Sequence, residues 1–306
     1  MTKLSIIILN YNTKELTKKC IESIVGTVTS IPYEIIVVDN GSSDGSVDEI
    51  KSAKFKVQNY SSKLKVIETG ENVGFAKGNN AARDVVKGEY VLFLNSDTII
   101  HPNSIEKTVV YLDEHKDVGV VTCKLVLADG SLDRDARRSF ITPWIGLTHL
   151  FLRLDRLFPT SKLFAQYWYG YISPDATHEV DVIQGAYFLT RKEILDKVGW
   201  FDEDYFLDAE DIDLSWKIKH AGWKLIYYPE VSILHLKGAT KGNNAKTKRS
   251  ISLPEKLKYR LSGVNSMEIF YRKRMWKENP LIVNYLVIVG IKILKALRFM
   301  KVVLLG

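Results

Sequence analysis

The sequence predicts an α/β fold in which a mostly parallel sheet carries helices on both faces, and three observations support this. Short unbroken apolar runs recur along the first half of the chain, as is typical of strands buried on both faces. Segments in which apolar residues have helical spacing separate these runs. Polar clusters follow several of the runs, and open α/β folds bind ligands at the carboxyl ends of parallel strands.

Length and composition are those of a globular protein. The chain has 306 residues, of which 46% are hydrophobic and 26% charged, enough for one large α/β domain with additions. Cys20 and Cys123 lie in apolar patterns and form no disulfide framework, which predicts reduced thiols and a cytoplasmic setting. The chain starts directly with a strand pattern, without the regions of a signal peptide.

The predicted strands and helices alternate along the chain. We predict buried strands at 4–9, 34–38, 64–68, 90–94, 118–123, 225–228 and 231–234. We predict helices at 15–25, from 46 onward, from 79 to about 86, at 103–114, at 191–198 and from about 209 to 221. Asp208 is predicted to be the N-cap of the last of these helices.

Three polar clusters follow predicted strands: Asn10-Tyr11-Asn12, Asp39-Asn40-Gly41 and Asn95-Ser96-Asp97. In a parallel sheet they fall along one edge, where a nucleotide fits them. Tyr11 offers a face for a base, Asp39 can accept a hydrogen bond from a base imide, and Asp97 can bind a metal that holds the diphosphate. The alternative is that these residues only make Asx turns into the following helices.

Two other nucleotide-binding classes are disfavoured. Gly74 and Gly78 do not form the G-x-G-x-x-G fingerprint of dinucleotide-binding folds, which follows a first strand. The sequence also contains no G-x-x-x-x-G-K-[ST] phosphate loop. Redox and ATPase functions therefore have little support.

The regular alternation stops in an aromatic segment at 139–177. It holds three prolines and many aromatic residues: Phe140, Trp144, Phe151, Phe158, Phe164, Tyr167, Trp168, Tyr169 and Tyr171. We expect helical pieces that cover the site or lie near the acceptor. The alternative is an extra layer of hydrophobic core.

An acidic cluster extends from Asp202 to Asp213. We place Glu210 and Asp211 in the first turn of a helix, where the helix dipole favours ionised carboxylates, as a general base requires. Ordinary complementation of the dipole explains one or two of these acids but not the whole cluster.

Taken together, the motifs resemble the inverting glycosyltransferases of the GT-A fold, family 2, and within them a rhamnosyltransferase-like group. The resemblance covers about residues 3–240. Beyond the three strand-end clusters, it rests on these pieces: Glu71-Asn72-Val73-Gly74-Phe75-Ala76-Lys77-Gly78-Asn79-Asn80, Gln184-Gly185-Ala186, Ala209-Glu210-Asp211-Ile212-Asp213-Leu214 and His235-Leu236-Lys237-Gly238.

The resemblance implies a nucleotide-sugar donor, a Mg²⁺ or Mn²⁺ ion and a single displacement with inversion. It implies Asp211 as the general base, Asp97 and His235 as metal contacts, and Gln184, Gly185 and Glu210 on the acceptor side. The implied donor-binding residues are Tyr11, Asp39, Asn72, Gly74, Phe75, Asn79, Asn95, Ser96 and Asp97. One departure is that Asn95 replaces the first acid of the family's D-x-D motif, so we expect it to contact ribose or a metal-bound water.

The transferred sugar is predicted to be L-rhamnose from dTDP-rhamnose. The expected acceptor is a hydroxyl of a lipid-linked or polysaccharide glycan in bacterial cell-surface polysaccharide synthesis, such as that of O-antigen. One alternative keeps the fold with a UDP-hexose or UDP-hexosamine donor. Another is a non-catalytic protein that binds nucleotides or glycans.

The C-terminal extension, 241–306, is predicted to be helical, basic and amphipathic. From Lys237 onward there are 16 basic and 3 acidic residues, a net charge of +13, whereas the rest of the chain carries −6. Its longest uncharged run, 279–291, is too short to span a bilayer of roughly 30 Å.

Basic residues then recur every third position among apolar ones, at Lys292, Lys295, Arg298 and Lys301. This predicts a helix lying in an anionic membrane surface, and hence a protein peripheral to the inner face of the plasma membrane. The alternative is a helix packed on the main domain with a solvated basic face. We expect no nucleic-acid partner, because a nucleic-acid arm would be polar where this segment is apolar.

Overall fold

The computed structural model describes residues 2–52, 64–237 and 253–305. It contains a nine-stranded sheet with the order β3-β2-β1-β4-β8-β6-β9-β5, and β7 pairs with β9. The strands are β1 (Leu4–Asn10), β2 (Tyr33–Asp39), β3 (Leu64–Glu68), β4 (Tyr90–Asn95), β5 (Thr98–Ile99), β6 (Val118–Leu127), β7 (His178–Glu179), β8 (Tyr187–Arg191) and β9 (Lys224–His235).

The longer strands run in one direction, with one exception. The first four are parallel neighbours, and β6 pairs in parallel with β9. Strand β8 lies antiparallel between β4 and β6, which makes the sheet mixed. The predicted α/β fold with a mostly parallel sheet is confirmed. The centre of the sheet is buried on both faces, as the unbroken apolar runs indicated.

The helices follow the predicted order with shifted ends. They are α1 (Lys14–Thr27), α2 (Ser46–Ser52), α3 (Phe75–Asn80), α4 (Ser104–Glu114), α5 (Pro143–Ile145), α6 (Leu154–Leu157), α7 (Lys192–Val198), α8 (Glu210–His220), α9 (Leu253–Phe270) and α10 (Leu281–Leu305). A π-helical turn, Gly146–Phe151, joins α5 to the loop before α6, so the aromatic segment does contain helical pieces.

Two predicted boundaries are wrong. The helix expected to reach about Val86 ends at Asn80, and a separate 3₁₀ turn follows at Arg83–Val85. The two strands expected around 225–234 are one strand, β9, because a register shift against β6 after Cys123 absorbs the Pro229-Glu230 interruption.

A second hydrophobic cluster joins the C-terminal helices to the rest of the molecule. Val264 and Phe270 of α9 and Ile288 of α10 pack with Phe140 and Tyr205 from the main fold. The predicted domain boundary near residue 240 lies outside the described residues. No helix in the described part of the chain is both long enough and apolar enough to cross a membrane.

Candidate active site

The three strand ends are joined by buried hydrogen bonds. Asn10 donates to Asp39 Oδ1 at 2.6 Å and accepts from the Thr13 hydroxyl at 2.8 Å. The Thr13 hydroxyl lies 3.0 Å from that of Ser96. The register of the sheet places Asn10 beside Asp39 and Leu9 beside Asn95. The parallel pairing therefore brings the predicted clusters together at one edge.

Asp39 and Tyr11 lie at different depths in this edge. The Asp39 carboxylate is buried, and it accepts from Asn10 and from the backbone N–H of Ser42 at 2.9 Å. Tyr11 is half-buried and lines the large cavity beside the strand ends. Asn40, which the sequence did not single out, also lines that cavity. The base contacts assigned to Tyr11 and Asp39 remain predictions.

The loop at 72–75 requires a glycine at position 74. Gly74 has a φ of +91°, and a Cβ there would lie 2.4 Å from the backbone oxygen of Phe206. That same oxygen accepts from the Phe75 N–H at 2.7 Å. Asn72 accepts from the Asn40 side chain at 3.0 Å and donates to the Tyr259 hydroxyl of α9 at 3.1 Å. The loop is therefore held between β2 and the C-terminal helices.

Phe75 and Asn79 differ in their access to the cavity. Phe75 lines it and packs edge-on against Phe201 at a centroid distance of 5.9 Å. Asn79 is buried, and its amide donates to the Phe75 carbonyl at 2.9 Å within α3. Asn79 therefore supports the helix that carries Phe75.

Asp97 and His235 meet because β5 pairs with the end of β9, where Thr98 faces His235. His235 Nε2 lies 3.4 Å from Asp97 Oδ1. On the other side of the ring, Nδ1 lies 2.8 Å from Asp133 Oδ2, and Lys237 donates to Asp133 Oδ1 at 2.7 Å. A carboxylate that holds one imidazole nitrogen fixes the ring so that the other nitrogen can bind a metal.

The charges in this cluster support each other. Burial opposes a charged His235, but hydrogen bonds to Asp133 and Asp97 outweigh it and raise the pKa of His235 to about 9. Burial likewise opposes ionisation of Asp133, but hydrogen bonds from His235 and Lys237 lower its pKa to about 2. Metal binding at His235 Nε2 requires loss of the proton that this environment stabilises.

The donor set fits a divalent ion that is held partly by its substrate. In the described parts of the chain no group of three or more His, Cys, Asp or Glu side chains is arranged to hold a metal. Asp97 and His235 both line the cavity and supply one oxygen and one nitrogen. Mg²⁺ sites of this kind use one or two carboxylates together with substrate phosphates and water.

Asp211 lies in the first turn of α8 and lines the same cavity. Its Oδ2 accepts from Arg138 at 2.8 Å and from the Gly185 N–H at 3.4 Å. Its Oδ1 accepts from the Ile212 N–H at 2.8 Å. Burial lowers the pKa of the Arg138 guanidinium, but the charge of Asp211, together with Tyr167 and Asp135, outweighs burial and holds that pKa above its usual range.

The predicted N-cap of α8 is wrong. The N-cap position is occupied by Ala209, with a φ of +70°, and no side chain caps the helix there. Asp208 also has a positive φ, +67°. Two consecutive non-glycine residues in this region are strained, and the surrounding contacts must hold them.

The residues predicted to lie on the acceptor side share the cavity with Asp211. Gln184, Gly185 and Glu210 line the cavity. The Asn95 N–H donates to the Ala186 carbonyl at 3.2 Å, which joins the loop before β8 to the end of β4. Gln184 Oε1 accepts no hydrogen bond from the described residues, so it is available to a ligand.

One cavity of about 1000 Å³ connects these groups. Its polar end is lined by Asn95, Asp97 and His235, and its middle by Asp211 and Gln184. Two candidate ligands for one metal ion, Asp97 and His235, and a candidate general base, Asp211, therefore line the same cavity. It can bind an anionic leaving group at one point and remove a proton at another.

The fold is that of the GT-A glycosyltransferases. A family model described as "Glycosyl transferase family 2" matches residues 5–199, so the chain belongs to that family. The resemblance to the family 2 glycosyltransferases that the sequence motifs indicated is confirmed.

A relative in Mycobacterium tuberculosis is called N-acetylglucosaminyl-diphospho-decaprenol L-rhamnosyltransferase. It is 26% identical over 227 residues, which cover 71% of this chain and 70% of the relative.

Two solved structures share the fold at low sequence identity. S. aureus TarS 1–349 in complex with UDP-GlcNAc superposes with a TM-score of 0.54 at 18% identity, covering 87% of this chain and 66% of that one. The mannosyltransferase PcManGT from Pyrobaculum calidifontis, in complex with GDP-Man and Mn²⁺, has a TM-score of 0.54 at 16% identity, covering 99% and 86%.

Sequence reasoning missed several residues of the site: Asn40, Asp133, Arg138, Lys237 and Tyr259. Asn40 directly follows Asp39 in a motif that was already noted, so attention to both residues would have found it. Asp133 and Arg138 flank a polar, charge-rich stretch between β6 and the aromatic segment, which gives only a weak signal. Tyr259 comes from a distant helix, and no local pattern indicates its contact.

Proposed function

We propose that the protein is a metal-dependent, inverting glycosyltransferase that moves L-rhamnose from dTDP-rhamnose to a hydroxyl of a lipid-linked glycan in cell-surface polysaccharide synthesis. The observation that carries this proposal is that Asp97, His235 and Asp211 line one cavity. The name of the mycobacterial relative supports the sugar and the lipid-linked acceptor.

Asp97 and His235 are proposed to act on the leaving group through one bound metal ion. Asp97 and His235 would hold Mg²⁺ or Mn²⁺, which supplies charge stabilisation for the departing nucleoside diphosphate. The Mn²⁺ in the PcManGT complex supports a divalent ion. Asn95 makes no side-chain hydrogen bond with the described residues, so its amide is available to ribose or to a metal-bound water.

Asp211 serves the acceptor. Arg138 and the Gly185 N–H hold Oδ2, which fixes the direction of the carboxylate. A carboxylate has about four lone-pair positions, so Asp211 can still accept the proton of an attacking hydroxyl. General-base catalysis of this kind contributes roughly 10²–10⁴-fold in rate.

A UDP-hexose or UDP-hexosamine donor is the second candidate. The observation that favours it is the fold shared with TarS, which was solved with UDP-GlcNAc. The donor residues named above do not distinguish thymine from uracil, since both bases present the same imide N–H.

The C-terminal helices are proposed to hold the protein on an anionic membrane surface at the cytoplasmic face. The exposed apolar residues of α10 support this: Leu281, Ile282 and Leu286 are 66%, 72% and 67% exposed. Exposed lysines follow them along α10 at 292, 295 and 301.

A panel of nucleotide sugars tested by thermal shift checks the donor proposal. dTDP-rhamnose, UDP-glucose, UDP-GlcNAc and GDP-mannose are added with Mn²⁺ or with a chelator. We expect dTDP-rhamnose to raise the Tm most, and only with metal, since a ligand that binds the folded state stabilises it. Asp97→Ala should lose the metal-dependent part of the shift. Metal-independent stabilisation, or an unchanged shift in this variant, would contradict the metal assignment.

A further inference from the structure

The cavity does not end at Asp211. It continues into an apolar groove whose two walls are the π-helical turn at 146–151 and helix α10. The first wall contributes Leu147, Leu150 and Phe151, and the second contributes Leu286, Val287 and Leu294. Nothing in the proposed transfer of a nucleotide-bound sugar uses this groove.

The walls meet closely. A Cβ on Gly290 of α10 would lie 3.1 Å from the tip of the Phe151 ring. A glycine at this position therefore permits the aromatic segment to approach α10. The two walls are parts of the chain more than 100 residues apart, which explains why the sequence pattern alone did not show the groove.

The chemistry of the walls identifies the occupant. All the cavity-lining residues from the two walls are apolar, including the glycines at 146 and 290. A sugar or a peptide would place hydroxyl or amide groups here without partners, at considerable cost. A hydrocarbon needs no partners and benefits from removal from water.

The position of the groove decides how the occupant is connected. The groove is continuous with the space next to Asp211, so its occupant lies beside the group that receives the sugar. Both walls of the groove contain solvent-exposed apolar residues, at Leu147 and Phe151 in one and Leu286 in the other. Further exposed apolar residues, Leu152 and Val289, are close to them in the chain. A chain can therefore pass from the reaction centre to an apolar surface outside.

We propose that the groove binds the first isoprene units of a polyprenyl-diphosphate acceptor, with its glycan at Asp211 and the remaining tail leading outward between the aromatic segment and α10. This proposal rests on the proposed function, because it names the part of the acceptor that accompanies the reacting hydroxyl. It also assigns the aromatic segment to lipid binding, together with the C-terminal helix.

Binding of farnesyl diphosphate to the full chain tests the proposal. Calorimetric titration below the micelle concentration compares it with inorganic diphosphate. We expect farnesyl diphosphate to bind at least tenfold more tightly. Leu147→Glu and Leu286→Glu, at exposed positions of the two walls, should each remove most of this difference. Val110→Glu is the matched control, since Val110 is an exposed apolar residue of α4 outside the cavity, and it should leave binding unchanged.

Titration of dTDP and UDP with Mn²⁺ on the same proteins distinguishes failure of the groove proposal from failure of the proposed function. Retained nucleotide binding in the two wall variants, with lost farnesyl binding, supports the groove. If nucleotides bind but farnesyl diphosphate binds no better than diphosphate, or binds equally to the wall variants, the groove proposal is overturned and the transferase stands. If no nucleotide binds, the proposed function fails first.

A photoreactive farnesyl diphosphate analogue gives an independent result. Mass spectrometry of the labelled full chain should find the label within 141–151 and 283–294, the two stretches that carry the walls. Label confined to other stretches would overturn the assignment of the groove.

Discussion

Helices α9 and α10 are consecutive and both basic, yet they relate to the rest of the molecule in opposite ways. α9 and the turns after it contact the catalytic region: Ser262 and Ser266 donate to the Leu207 carbonyl, and Arg274 donates to Asp213 from Nε at 2.7 Å and Nη2 at 3.0 Å. α10 packs on α9 and the turns after it through Asn284, Ile288 and Ile291, and it exposes much of its apolar surface.

The sequence analysis treated the C-terminal extension as one membrane-associating segment, whereas the structure gives α9 and α10 different contacts. The contacts of α9 lie next to the strained residues Asp208 and Ala209, which precede Asp211. α9 therefore holds the loop that precedes Asp211, the candidate base, and it belongs structurally to the candidate active site. The solvent-facing apolar residues of α10 are exposed in the described chain, and we propose that they meet the membrane surface.

The largest expected effect is a loss of stability when the contact between the turn after α9 and the main fold is removed. Arg274→Ala removes the ion-pair partner of the fully buried Asp213, which still accepts a hydrogen bond from the Tyr205 hydroxyl at 3.2 Å. Breaking a buried ion pair and leaving one charge uncompensated typically costs about 3–5 kcal/mol. The matched control is Arg272→Ala, which loses an exposed helical pair with Glu268 and a cation–π contact with the Trp276 ring at 5.4 Å, and it should cost about 1 kcal/mol. Urea unfolding measures both, and equal losses would contradict the assigned role of α9.

The next effect concerns α10 and membranes. Replacing Lys292, Lys295 and Lys301 with Gln should weaken binding to anionic vesicles by about 3 kcal/mol, since each basic residue near the surface contributes about 1 kcal/mol. All three are exposed, so the Tm should not change. The control replaces Lys19, Lys87 and Lys116, which are exposed on the main fold. Co-sedimentation measures the binding, and equal loss in the two triple variants would indicate nonspecific attraction.

The smallest effect is expected at the serines of α9. A double Ser262→Ala, Ser266→Ala variant leaves the Leu207 carbonyl without these donors, at a cost of about 1–2 kcal/mol. We expect a lower kcat with unchanged nucleotide affinity, because the loop before Asp211 loses support. Ser266→Ala alone should have little effect, since Ser262 still donates. A raised KM for the donor with normal kcat would place the effect elsewhere.

The sequence predicted the parts of the site that follow from local pattern and from sheet topology. Unbroken apolar runs indicated buried parallel strands, and parallel strands bring their ends to one edge. The hydrogen bonds from Asn10 to Asp39 and onward to Ser96 follow from that geometry. The loop at 72–75 was identified through its resemblance to the family motif, whereas the close approach of Phe206 that requires Gly74 is visible only in the structure.

The rest depends on contacts between distant segments. Asp133 reaches His235 across 102 positions, and Arg138 reaches Asp211 across 73. No periodicity encodes such pairs, since they depend on how the sheet and the loops pack. The prediction of Asp208 as N-cap was wrong for a related reason. The preference of Asp for that position is local, whereas the loop at 207–209 also makes hydrogen bonds with the distant helix α9.

The most direct test of the account is transfer by Asp211→Asn. Asparagine keeps the shape of the side chain but cannot take the proton of the acceptor. We predict that nucleotide affinity in the presence of Mn²⁺ stays close to that of the wild type while transfer from the preferred donor falls by roughly 10²–10⁴-fold. Asp204→Asn, at an exposed acid of the same cluster, is the control and should retain transfer. Near-normal turnover by Asp211→Asn would contradict the account.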